Sequence, residues 1–126
     1  MEAVKAILEE EGVTSSEDLD IHDSFHYDGG DAYDDLAIEK VYDDVLSVEQ
    51  HYTQRMDRMS APEVRFDISD YDNWVPIEYT NHDTVPQAYE RDEDGLDDLD
   101  EFLRVWDKNL KEQFPADEVV DRGENR

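Results

Sequence analysis

The chain has 126 residues, of which 37 are acidic and 11 are basic, and its net charge is −26. This length fits one domain, and the absence of cysteine excludes disulfides, thiol catalysis and zinc sites built on cysteine. Direct binding of nucleic acid requires a basic patch. The longest basic grouping runs from Arg55 to Arg58 and contains an acid, so we do not expect direct binding of nucleic acid.

The first segment, residues 2–11, is predicted to form a short helix that ends at Gly12. Its apolar residues fall on one helical face. These residues are Ala3, Val4, Ile7 and Leu8. The segment 23–35 contains two adjacent glycines and five acids, so we expect an exposed loop there.

Residues 34–59 are predicted to form a long amphipathic helix. Seven apolar residues recur there at steps of three or four, the spacing of one helix face. Such a helix would be about 39 Å long at 1.5 Å per residue, so a second long element or another molecule must cover its seam. The seam residues are Ile38, Val41, Val45, Val48, Tyr52, Met56 and Met59.

Two segments with alternating apolar residues follow, at 63–69 and at 74–80. Alternation is typical of a half-buried strand, so the pair is predicted to form an antiparallel hairpin. Pro76 lacks an N–H and therefore indicates a position free of ladder bonding on one side. Residues 81–94 show no dominant period and are predicted to be an exposed loop.

Residues 95–114 repeat the helical spacing and are predicted to form a second long helix, which Pro115 ends. The fold class expected from the whole chain is α+β, with two long amphipathic helices packed with a β-hairpin and a short N-terminal helix. Residues 1–115 are predicted to form a single acidic domain, and residues 116–126 are predicted to be a frayed tail.

The sequence contains no motif for catalysis or for a cofactor. The acids of the 23–35 loop lack the register of an EF-hand, and the pair His22 and His26 lacks the glutamate of a zinc-protease motif. A Gly-rich phosphate loop and a nucleophile elbow are also missing. We therefore predict no catalytic residue, no cofactor and no metal site, and a protein that is not an enzyme.

Tyr, Trp and Met are common in the cores of protein interfaces, so exposed examples in an acidic chain are candidates for contact with a partner. For Trp74 the alternative is a core residue of the hairpin. The predicted interface residues are Tyr71, Trp74, Tyr79, Tyr89, Tyr52, Met56 and Met59.

Aspartate is commoner than glutamate and lysine is scarce, a composition similar to that of proteins from extreme halophiles. At 1 M salt the Debye length falls to about 3 Å, which screens the self-repulsion of such a chain. We therefore predict a non-enzymatic assembly subunit of a larger complex, in a halophile or its virus. This prediction includes a head-tail, neck or tail component of a virion. Its location would be cytoplasmic, or in a virion assembled in the cytoplasm. We expect protein partners in a homo- or hetero-oligomer, with no direct nucleic-acid binding and no membrane.

The alternative function is a DNA mimic, an inhibitor of the anti-restriction or anti-CRISPR type that occupies the DNA site of a restriction, repair or CRISPR enzyme. Such a mimic must concentrate its charge on one face to approach the charge density of DNA. Acids are spread through every segment of this chain, and bases interrupt them at Lys40, Arg55 and Arg104. The dispersed pattern favours adaptation to salt over mimicry.

Overall fold

The computed structural model describes residues 1–27, 29, 34–54, 57–81, 88–92, 95–96 and 99–116, with the backbone alone along 52–54, 57–61 and 88–89. Within these residues, six antiparallel strands lie side by side in their order along the chain. Both helices contribute to one apolar core with the same face of this sheet. The elements are α1 (Glu2–Glu10), a 3₁₀ turn (Ser16–Asp18), β1 (Ser24–Tyr27), β2 (Asp35–Tyr42), β3 (Val45–Gln54), β4 (Asp57–Asp67), β5 (Val75–Asn81), β6 (Ala88–Arg91) and α2 (Asp100–Gln113).

The predicted long helix at 34–59 is wrong, because the described residues of this range form β2, β3 and the first residues of β4. Residues 55–56 lie outside the described residues. In β2 the buried residues Leu36 and Ile38 are two positions apart, which is the period of a strand, and β3 repeats this pattern. A turn of two residues joins the strands, and Asp44 adopts a positive φ of 55° there, which Asp tolerates better than most residues. Because the turn has only two residues, the apolar residues before and after it follow one another at steps of three and four, which also fit a helix. The fold is thus a six-stranded sheet with two helices, not two long helices packed with a hairpin.

The predicted antiparallel hairpin is confirmed as β4 and β5. Val64, Phe66 and Ile68 are buried, as the alternation of β4 indicates. In β5 the predicted alternation of buried and exposed residues is absent, because all seven residues are half-buried. The register between β4 and β5 also shifts along this strand pair. The ladder to β6 covers residues 78–81, so Pro76 lies beyond it, where a missing N–H breaks no bond to β6.

Two segments predicted to be loops contain strands. β1 lies within the segment 23–35, and β6 lies within the segment 81–94. Each strand has four residues, which is too short for a period to be evident in the sequence. Residues 28, 30–33, 82–87 and 93–94, which belong to the same two predictions, lie outside the described residues.

The short N-terminal helix is confirmed as α1, and its two ends show why it forms there. Gly12 has a φ of 90°, and the Val13 N–H donates to the Leu8 carbonyl at 2.8 Å, as in a Schellman motif. At the other end, the Ala3 N–H donates to Asp107 Oδ1 of α2 at 2.7 Å. A carboxylate from α2 therefore satisfies the positive end of α1.

The second helix is shorter than the predicted 95–114, because α2 begins at Asp100 and has 14 residues. A polar chain joins it to the sheet: Trp106 Nε1 donates to Gln50 Oε1 at 2.9 Å, and Gln50 Nε2 donates to Gln113 Oε1 at 2.9 Å. Of the predicted tail, residues 117–126 lie outside the description. None of the helices in the described ranges is long and apolar enough to cross a membrane.

Lys40 is a buried cation at the edge of the core, with 5% of its surface exposed. Its Nζ donates to the carbonyl of Leu19 at 2.8 Å and to that of Ser16 at 3.0 Å. Charge-assisted bonds of this kind are stronger than neutral ones. The Lys40 side chain of β2 therefore holds the 3₁₀ turn and Leu19, the residue after it, against the sheet.

Candidate interaction surface

The sheet face turned away from the helices carries four glutamates, whose register positions alternate with those of the core residues on four neighbouring strands. Glu49 and Glu63 lie opposite each other on one rung of the ladder, and the other two lie on the adjacent rung, opposite Ser47 and Arg65. Neighbouring strands lie about 4.8 Å apart, so the carboxylates of these two rungs occupy one small area. We define the glutamate face as Glu39 on β2, Glu49 on β3, Glu63 on β4 and Glu78 on β5.

The centre of the glutamate face is a shallow depression above two small residues. Ala37 and Ser47 are each 6% exposed. The depression has a volume of about 250 Å³, and the side walls include Glu39, Glu49 and Glu63. Pockets for small molecules measure about 300–1,000 Å³ and are mostly apolar. This surface is therefore better suited to the side chains of another protein than to a small molecule.

Arg65 of β4 lies among the residues of the glutamate face. Its Nε is 3.3 Å from Glu63 Oε2, and its Nη1 is 3.6 Å from Glu78 Oε2. Burial alone would lower the pKa of the Arg65 guanidinium, but the charges of Glu63 and Glu78 outweigh burial and raise this pKa. Ser47 Oγ also donates to Glu63 Oε2 at 2.6 Å. Arg65 and Ser47 thus hold Glu63 in place.

The glutamate face keeps an excess of negative charge. Glu49 lies directly opposite Glu63 in the ladder, and like charges in this position destabilise a sheet by some tenths of a kcal/mol, up to about 1 kcal/mol. Glu39 is 3.4 Å from His22 Nδ1, but that pair is exposed, and exposed pairs contribute little. Arg91 of β6 lies opposite Glu78 in the ladder, so among the described residues the four glutamates share this side of the sheet with two guanidinium groups, those of Arg65 and Arg91.

Tyr71 and Trp74, two of the predicted interface aromatics, lie together. The rings of Tyr71 and Trp74 meet edge-on with centroids 5.6 Å apart, and Lys5 Nζ lies 5.7 Å from the Tyr71 centroid. Both rings are half-buried against the core. Tyr79 lies elsewhere and meets Phe102 of α2, with centroids 5.4 Å apart.

Two polar atoms of this aromatic pair are buried without a hydrogen-bond partner among the residues that the structure describes. They are the hydroxyl of Tyr71 and Nε1 of Trp74. Burial, with smaller contributions from the charges of Glu9 and Asp18, raises the pKa of Tyr71 to about 12. The hydroxyl is therefore neutral at physiological pH, and its burial costs stability.

The other predicted interface residues lie on strands. Tyr52 and Met59 are opposite each other near the end of the β3–β4 ladder, and Tyr89 of β6 is opposite Thr80. Met56 lies outside the described residues. The helical seam on which Tyr52, Met56 and Met59 were grouped does not exist, since strands replace that helix.

A second depression, of about 500 Å³, lies between the end of α1 and the start of β1. Its lining includes Glu11, Asp18, Asp23 and His22, and His22 has a positive φ of 76°. In the described part of the chain, no three His, Asp or Glu side chains are grouped so that they could hold a metal ion. His26 lies on β1, opposite Ala37, rather than on a helix with His22.

Sequence reasoning missed the glutamate face because it assigned β2 and β3 to a helix. The signal was present, since Glu39, Ser47 and Glu49 occupy the positions between buried residues at period two. Read as strands, these segments predict one apolar face and one acidic face.

Comparison with known proteins identifies a family for the chain but no characterised relative. A family model matches residues 2–114, from the start of α1 to the end of α2. No curated protein and no solved structure matches the chain. The chain belongs to the family described as a domain of unknown function, DUF6908.

Proposed function

We propose that this protein is a non-enzymatic assembly subunit that binds a cationic surface of another protein through the glutamate face. The observation that supports this most directly is the one-sided architecture. Both helices cover one face of the sheet, and the opposite face presents four half-buried glutamates around Arg65. A partner that supplies arginine or lysine side chains would relieve the repulsion between Glu49 and Glu63.

The charge of the whole chain supports a working environment of high salt, as in a halophilic cell or a virus that assembles in its cytoplasm. A net charge of −26 on 126 residues repels itself strongly in dilute buffer. At 1 M salt, interactions beyond about 3 Å are screened, whereas contacts between an arginine and a glutamate at hydrogen-bond distance persist in part. Association through the glutamate face at high salt would therefore be selective for partners that place arginine side chains in direct contact with the glutamates. A role as a virion head-tail, neck or tail component belongs to this proposal.

The DNA mimic is the second candidate, and the pair of glutamates on neighbouring strands is the observation that favours it. Glu49 and Glu63 lie opposite each other on strands about 4.8 Å apart, which approaches the charge spacing of about 3.4 Å along one DNA strand. Arg65 argues against mimicry, because it lies among these glutamates and no cation occupies the corresponding place between the phosphates of DNA. Competition with duplex DNA for a basic DNA-binding protein at low salt would favour the mimic over the assembly subunit.

Size fractionation of native extract in 2 M KCl tests the proposal. We expect the protein to elute in a complex heavier than its own 14.8 kDa. The double variant Glu39→Lys with Glu49→Lys should shift it towards the monomer, since it reverses two charges of the glutamate face. The matched control is Glu2→Lys with Glu10→Lys, which changes the charge equally on α1 and should leave the complex intact. A compact wild-type monomer in this extract would contradict the proposal.

A further inference from the structure

The glutamate face already holds one guanidinium group, that of Arg65, by contacts of two kinds. Two carboxylates approach it, with Nε 3.3 Å from Glu63 Oε2 and Nη1 3.6 Å from Glu78 Oε2. The Tyr42 ring lies beside it, with its centroid 6.0 Å from Cζ. Carboxylates match the planar fork of donors on a guanidinium, and an aromatic ring attracts its positive charge. The surroundings of Arg65 therefore show which type of side chain this face can hold.

Tyr42 is placed on the glutamate face by an irregularity in β2. In a regular strand it would follow the buried Lys40 into the core, because residues two apart share a face. The register with β3 shifts between Lys40 and Tyr42, and such bulges redirect a side chain. The Tyr42 ring instead contacts Arg65 and is 61% exposed. A large part of an aromatic ring is thus accessible to a partner at the margin of the glutamate face.

The depression beside Arg65 has room for one more side chain. Its volume is about 250 Å³, and three of the four glutamates of the face line it. Ala37 and Ser47 at its centre are short, so a side chain from outside can approach the sheet closely. Val41 adds an apolar contact on the same lining, which suits the aliphatic stem of a long cationic side chain.

The charge balance of this side of the sheet also favours one more cation. Among the described residues, four carboxylates share it with the guanidinium groups of Arg65 and Arg91. A further guanidinium would reduce the excess of negative charge from two to one. It would also relieve the repulsion between Glu49 and Glu63, which lie opposite each other.

We propose that the depression takes one arginine side chain of the partner protein, and that Tyr42 makes this site selective for arginine over lysine. This inference rests on the proposed function and narrows the partner from a cationic surface to one that projects an arginine. Arginine binds carboxylates through two parallel bonds, stacks on aromatic rings and is more weakly hydrated than lysine. In concentrated salt, where the attraction of a point charge is screened, these properties favour arginine.

Two fluorescently labelled peptides test the selectivity in 1 M KCl by anisotropy. One alternates glycine with arginine, and the other has lysine in place of every arginine. We expect the arginine peptide to bind the wild-type protein at least about tenfold more tightly than the lysine peptide. Glu49→Gln removes one carboxylate while keeping the shape of the side chain, and should weaken binding of the arginine peptide about tenfold. Glu112→Gln makes the same change on the exposed side of α2 and should leave the affinity unchanged.

Substitutions of Tyr42 separate its effect on selectivity from a general effect on the surface. Tyr42→Leu keeps an apolar side chain but removes the ring, so it should weaken binding of the arginine peptide about two- to fivefold. The lysine peptide should lose less, and the preference for arginine should fall. Tyr42→Phe keeps the ring and should retain the wild-type preference. An unchanged preference in Tyr42→Leu would overturn the role of Tyr42.

The outcome also separates this inference from the proposed function. Equal affinities of the two peptides for the wild type would overturn the arginine site. If neither peptide binds at millimolar concentration but native extract contains a complex that depends on the glutamate face, the arginine site is wrong and the assembly role stands. If neither peptide binds and the extract contains only the monomer, the two proposals fail together.

Discussion

Replacement of Lys40 by methionine tests whether the buried ammonium holds the 3₁₀ turn against the sheet. Methionine keeps most of the apolar stem but removes both hydrogen bonds of Nζ. The Ser16 carbonyl still accepts the N–H of Leu19, whereas the Leu19 carbonyl loses the donor that the structure shows. A buried acceptor without a partner costs about 1–3 kcal/mol, and removal of the buried charge recovers part of this cost. We expect Lys40→Met to lower the free energy of unfolding by about 2 kcal/mol.

Urea denaturation in 2 M KCl at pH 7 measures this difference. Lys108→Met is the matched control, because it removes one positive charge from an exposed position of α2. Surface substitutions usually change stability by less than about 0.5 kcal/mol, so the control should unfold like the wild type. Equal stability of the two variants would show that the cost of burying the ammonium cancels its bonds, and that the turn does not depend on it.

Three further substitutions test the aromatic pair and the glycines. The pKa of Tyr71 is about 12 in the folded chain and about 10 unfolded, so the unfolded chain loses this proton first and stability should fall as pH rises from 10 to 12. Tyr71→Phe should remove that fall and raise stability at pH 7 by about 1 kcal/mol, because it deletes a buried hydroxyl without a described partner; a loss of stability at pH 7 would refute this. Gly12→Ala should cost about 1 kcal/mol, since φ is 90° and nothing lies within 4 Å of an added Cβ. Gly95→Ala should cost more, about 2 kcal/mol or above, because its Cβ would lie 2.9 Å from Val75 Cγ1; equal losses in thermal denaturation would contradict the contact.

Local signals in the sequence were sufficient where one element decides its own structure. The helix α1 has both its apolar face and its terminating Gly12 within 12 residues. The hairpin of β4 and β5 was equally predictable from the sequence, because the apolar residues Val64, Phe66 and Ile68 alternate with charged residues without interruption. In these segments the local pattern and the tertiary packing agree.

The rest of the fold depends on pairing between distant residues. In each of β2 and β3, two buried apolar residues are followed by a buried polar residue on the same face of the sheet. This residue is Lys40 in β2 and Gln50 in β3, so the apolar alternation covers only two residues in each strand. Each of these polar side chains is satisfied by a partner far away in the sequence, such as Leu19 for Lys40. A helical period with steps of three and four therefore fitted the apolar residues better than the true strands did. The glutamate face could not be predicted without the strands that align it.

The dependence of stability on salt tests the central claim, that the acidic surface suits this protein to concentrated salt. Urea unfolding between 0.1 and 3 M KCl gives the free energy of unfolding at each concentration. We expect it to rise with KCl, most steeply as the Debye length shrinks from about 10 Å towards 3 Å. Glu49→Gln should rise less than the wild type, because the repulsion between Glu49 and Glu63 is already absent. A wild-type stability that is independent of KCl would contradict the claim and would favour the DNA mimic.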